Sequence, residues 1–112
     1  MAIVIVSHDL EDEINKKFRK ESVKIFELIY SLKDEPKKGK EIGIVGNTLI
    51  KELKYGSFRF YFITDGHKIK FLKSDELKDA VIKFVSMSDK NNQQKIIDEI
   101  KKILRTFGPD GL

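Results

Sequence analysis

Arg59 lies inside the aromatic run FRFYF (58–62), and its setting carries more chemical content than any other in the chain. In an extended strand, alternate side chains share a face. Phe58, Phe60 and Phe62 then point one way, as a core face packed on helices. Arg59, Tyr61 and Ile63 point the other way, and Arg59 and Tyr61 are expected on an exposed concave face. Lys51, Lys54, Lys68, Lys70 and Lys73 lie on neighbouring segments. A planar guanidinium beside an aromatic ring and several ammonium groups suits an RNA backbone and a stacked base. The same residues also fit a solvated sheet face on which Arg59 pairs with Glu52.

Other chemistry finds little support. There is no cysteine, which excludes a disulfide framework, thiolate metal sites and thiol catalysis. His8 and His67 are far apart, and no HxH or HxxxH spacing offers a metal clip. His67, next to the Asp65-Gly66 pair, reads as an exposed hairpin-tip residue, with general acid–base work as the alternative. No nucleophile elbow, phosphate loop or dinucleotide fingerprint occurs. GIVGN (43–47) comes nearest and reads as a turn before a strand. No metal and no cofactor is implied.

Charge narrows the choice of partner. The 112 residues carry 22 basic and 18 acidic groups, for a net +4. Residues 1–32 sum to −1, residues 33–73 to +5 and residues 74–112 to zero. Basicity gathered in the middle third suits phosphate-bearing or acidic partners, and a Lys-rich solvated surface is the alternative. Lys, Glu and Ile dominate, with only two Met, a thermophile-like composition. No run of eighteen apolar residues exists, and AIVIV (2–6) lacks the basic flank of a signal peptide. A soluble, cytoplasmic protein of one domain is expected.

The elements that must position Arg59 follow from periodicity. Residues 2–6 read as a buried strand. Ser7 or Asp9 can cap a following helix, whose first turn is acidic. Apolar residues at helical spacing give helices over about 9–19 and 21–33, either an antiparallel hairpin or one long bent helix. Pro36 ends them. Residues 36–47 read as a loop with a short strand over 42–45. Strands follow at 48–55 and 58–63. Asp65-Gly66 suits a type I′ turn, with 68–73 closing that hairpin. A further strand covers 80–87. Ser88 or Asp89 can cap the last helix, striped by Ile96, Ile97, Ile100, Ile103, Leu104 and Phe107 and stopped by Gly108-Pro109. The fold class is α+β: an N-terminal strand and helix hairpin packed on a mainly antiparallel sheet, with a C-terminal helix.

This order, with KELKYGSFRFYFITDGHKIKFL (51–72), resembles the RelE/ParE toxin superfamily, including its HigB-like branch. Members are similar in a helix hairpin ending near a Leu/Pro/Gly-Lys pattern, here LKDEPKKGK (32–40). A Leu-Gly-Arg-Tyr strand pair follows, here ELKYGSFRFYF (52–62), and then a late strand and helix, here FVSMSDKNNQQKIIDEI (84–100). The resemblance covers most of the chain and implies a single toxin domain over 1–112. It implies a type II toxin neutralised by a cognate antitoxin. It further implies metal-independent cleavage of mRNA on the ribosome, in which a 2′-OH attacks the neighbouring phosphate. Arg59 matches the family's strand arginine and Lys54 a basic position before the turn, which implies catalytic roles for both. Lys51, Tyr61, Lys83 and Lys90 are the implied substrate-binding residues. Glu52 stands where another basic residue is often found, and the family's late Arg and Tyr have no counterpart here. A ParE-like action on DNA gyrase, or a non-catalytic interaction role, is the alternative.

Overall fold

The computed structural model describes residues 1–112. Strand β1 (Ile3–Val6) leads into helix α1 (His8–Phe18). Ser7 caps α1, its hydroxyl accepting from the Leu10 N–H, and Asp9 and Glu11 occupy the positive end of the helix dipole. Arg19, at φ 50°, breaks the helix. A 3₁₀ turn at Arg19–Glu21 then starts α2 (Ser22–Tyr30), so the two form a hairpin rather than one bent helix. Strands β2 (Lys40–Val45), β3 (Thr48–Tyr55) and β4 (Phe58–Asp65) follow, then helix α3 (Gly66–Phe71), strand β5 (Val81–Ser88) and helix α4 (Gln93–Phe107).

The five strands form one sheet in the order β1-β5-β4-β3-β2. β2 to β5 pair antiparallel, and β1 lies parallel to β5. One sheet face receives the helix hairpin. Leu10, Ile14, Ile25 and Ile29 pack there against Leu49, Leu53, Phe60, Phe62 and Phe84. Phe62 and Phe84 stack across β4 and β5 with centroids 4.7 Å apart. Gly39 borders this cluster at φ +107°, where a Cβ would sit 2.8 Å from the Phe62 ring. The expected core face of the FRFYF run is therefore correct. The opposite face receives α4, whose Ile97, Ile100 and Leu104 pack on Ile50, Tyr61 and Ile63. Each such side chain buried from water contributes about 2 kcal/mol. The molecule is thus three layers, helix hairpin, sheet and α4, and the α+β class holds. No helix is long and apolar enough to cross a membrane.

Three local expectations are corrected. Residues 68–73 are no strand, and Asp65-Gly66 makes no hairpin turn. Asp65 instead caps α3, its carboxylate accepting from the His67 and Lys68 N–H groups. Ser/Asp side chains compete for local N–H groups, and here the helical cap prevails over the type I′ turn. At the start of α4 neither Ser88 nor Asp89 is the cap: Ser88 ends β5, and α4 begins after Asn92. Asp89 shapes that turn by accepting from the Asn91 and Asn92 N–H groups. Finally, Phe107 leaves the α4 stripe and is 71% exposed.

Candidate nucleic-acid interface

Strand register assembles the site. Lys54 on β3 lies opposite Arg59 on β4, and Arg59 lies opposite Ser88 on β5. Directly opposed residues of an antiparallel ladder share a face. Lys54, Arg59 and Ser88 therefore form one row across three strands, on the face that carries α4. Glu52, Tyr61 and Ser86 form the next row inward. Lys90 follows two residues after Ser88, exposed in the turn before α4. Lys54 is exposed as well, so two free ammonium groups flank the Arg59 end of the sheet.

A slip of register between Tyr61 and Phe62 marks a bulge where β5 carries one extra residue, Val85. Ser86 and Ser88 then face the same side as Tyr61. The Tyr61 hydroxyl and Ser88 Oγ lie 2.7 Å apart and share a hydrogen bond. Burial pushes the Tyr61 phenol above its ordinary value of 10.0, and the Ser88 hydrogen bond opposes that rise. Tyr61 is thus a neutral phenol at physiological pH.

Arg59 and Tyr61 do not stand on an open concave face. Tyr61 is fully buried beneath α4, and Arg59 is 9% exposed. The reason is the apolar company on that face: Ile50 and Ile63 need cover, and the Ile97–Leu104 stripe supplies it. Arg59 holds Glu52 loosely, with Nε 4.0 Å from a carboxylate oxygen. Its NH1 group donates to the Phe58 and Gly56 carbonyls at 3.1 and 3.4 Å. Arg59 Nε and Glu52 Oε2 are both buried without a hydrogen-bond partner. Such orphaned groups cost on the order of 1–3 kcal/mol each.

The remaining expected binding residues scatter. Lys51, three residues from Lys54, points to the other face, because strand faces alternate. It lies opposite Phe62, with its ammonium 5.8 Å from that ring and donating to the Lys37 carbonyl at 2.8 Å. Lys83 shares the α4 face but pairs with Ile63, roughly 13 Å along the strand from Arg59. Its ammonium donates to the Leu112 main-chain oxygen and borders a polar cleft of about 560 Å³. Tyr61, being sealed, offers no ring for stacking. Lys68, Lys70 and Lys73 fall beyond the far end of β4. No group of three or more His, Asp or Glu side chains is placed to hold a metal ion.

Lys51 yields a prediction of its own. Burial lowers its pKa below the ordinary 10.5; Glu41 opposes that shift and Lys37 adds to it. The folded state therefore binds this proton less tightly than the unfolded state. The resulting cost to stability is present at neutral pH and disappears as pH rises through the lowered pKa towards 10.5. Lys51→Met keeps the stem and removes the charge, and is expected to stabilise by about 1 kcal/mol near neutrality. Urea unfolding of both proteins across alkaline pH checks this, because the advantage of the variant must shrink with pH. An advantage that stays constant contradicts it.

Set against known protein families, curated proteins and solved structures, the chain matches none.

Proposed function

We propose that the chain is the toxin of a type II toxin–antitoxin pair, a metal-independent endoribonuclease that cuts mRNA on the ribosome in the cytoplasm. The observation that supports this reading is the Lys54–Arg59–Ser88 row with Lys90 beside it. An RNA phosphate placed at that row meets two ammonium groups and a guanidinium. It also gives Arg59 Nε the acceptor it lacks. In the reaction the 2′-OH gives up its proton as its oxygen bonds the adjacent phosphorus, the P–O5′ bond breaks, and O5′ takes up a proton from solvent, leaving a 2′,3′-cyclic phosphate and a 5′-hydroxyl. Cations at the phosphate then stabilise the charge that builds there. Lys54 and Arg59 take that role, and Ser88 holds Tyr61 rather than substrate. Arg59 is 9% exposed, so a phosphate reaches it only as its neighbours give way. The net +5 of residues 33–73 suits an extended acidic antitoxin segment, whose encounter the charge would speed.

The burial of Arg59 and its pairing with Glu52 favour a second reading: a gyrase-directed inhibitor or a non-catalytic interaction protein of this fold. Induced expression separates the two. The nuclease arrests translation and leaves cut mRNA, with gyrase supercoiling intact. Loss of supercoiling with whole mRNA supports a gyrase inhibitor. Harmless expression supports the interaction protein.

A further inference from the structure

Residues 68–73, expected to be a strand, instead run through the short helix α3 (Gly66–Phe71) into the turn after it, and that helix has one side anchored and the other bare. Asp65 caps it, and the Gly66 N–H donates to the Asn47 carbonyl at 2.9 Å. Ile69 is buried in the main core. At about 100° per residue, the direction opposite Ile69 falls between His67 and Phe71. Lys70 lies to one side of that pair and Lys68 to the other. The exposures agree: His67, Lys68, Lys70, Phe71 and Lys73 are all exposed, and Phe71 is 72% exposed. The His67 and Phe71 ring centroids lie 4.8 Å apart, with the ring planes tilted by 44°. Residues 66–73 contain three lysines and no acidic residue.

We propose that α3 is a binding surface for single-stranded RNA, with the His67–Phe71 pair as the stacking platform for an unpaired base and Lys68, Lys70 and Lys73 as its phosphate contacts. An exposed aromatic ring on a rigid element costs little to immobilise, and every base has a face to lay on it. The lysines add the sequence-independent attraction of cations for phosphate. A membrane surface is the poorer occupant. Interfacial helices need a broad apolar face, and the apolar side of α3 is consumed by the core. The surface lies roughly 20 Å along β4 from Arg59. It goes beyond the proposed function, because it concerns binding alone and holds whether or not Arg59 and Lys54 cleave anything.

Fluorescence anisotropy with labelled oligouridylate and oligoadenylate tests it, with RNA duplex and phosphatidylserine vesicles as competitors. Phe71→Ala is expected to weaken single-strand binding by at least about fivefold, and Phe71→Trp to preserve it. Lys70→Ala is expected to weaken binding and flatten its salt dependence, whereas Phe71→Ala leaves the salt slope unchanged. Lys54→Ala must leave the Phe71 effect in place, so failure of the nuclease reading is told apart from failure of this one. Equal affinities for wild type and Phe71→Ala overturn the proposal. So does tighter binding to vesicles than to RNA with Phe71 required for both.

Discussion

Replacing Arg59 by methionine is expected to destabilise the protein by about 3 kcal/mol, since it leaves the Glu52 carboxylate buried without a counter-charge. Glu52 is 4% exposed and has Arg59 as its one ion-pair partner. Removing both charges together, as Glu52→Leu with Arg59→Met, is expected to return stability to within about 1 kcal/mol of wild type. The pair is loose at 4.0 Å and leaves an oxygen and a nitrogen unpartnered, so its net worth is small although either half alone is costly. Urea unfolding of the two single variants and the double variant checks the cycle. An Arg59→Met protein as stable as wild type contradicts it. The result also bears on function: activity lost with Arg59 is partly stability lost, which makes the exposed Lys54 the cleaner probe.

The second large effect concerns α4. Ile100 is 1% exposed between Tyr61 and its neighbours on the sheet. Ile100→Ala is expected to cost about 2–4 kcal/mol, the transfer term plus the cavity it leaves. If α4 covers a working site, the same change loosens the cover. Cleavage per folded molecule should then rise while the unfolding midpoint falls. Measuring both on one preparation gives opposite signs under this account. Parallel losses would show α4 to be structural support alone.

How far the sequence could be read is clearest in the FRFYF strand. Its alternation put Phe60 and Phe62 in the helix-covered core, where they are. The other face reads as open from the strand alone, because periodicity tells that α4 has an apolar stripe but not where it docks. The missing signal was present in β3 and β4, where Ile50, Tyr61 and Ile63 give the second face its own apolar patch. A two-faced strand reads as continuous burial, and β3 is buried from Thr48 through Leu53, charged Lys51 and Glu52 included. Long side chains hide such reversals, since a lysine stem can be buried beside a ring while its ammonium finds a carbonyl. At Asp65-Gly66 two local programmes share one dipeptide, hairpin turn and helix cap. The hydrogen bond from the Gly66 N–H to the Asn47 carbonyl favours the cap. That interaction is tertiary and invisible in the local string. Lys54 beside Arg59 was legible, because a two-residue turn at Gly56-Ser57 fixes the register between them.

Lys54 and Arg59 are proposed to handle a scissile RNA phosphate. Purified protein incubated with ribosomes programmed by an end-labelled mRNA, with product ends mapped, tests that role most directly. Attack by the 2′-OH predicts a single class of cut whose downstream fragment begins with a 5′-hydroxyl. Lys54→Ala, which removes an exposed side chain and leaves the fold unchanged, is predicted to slow that cut about 100-fold. Intact mRNA with the wild-type protein, or equal cutting by wild type and Lys54→Ala, would contradict the claim.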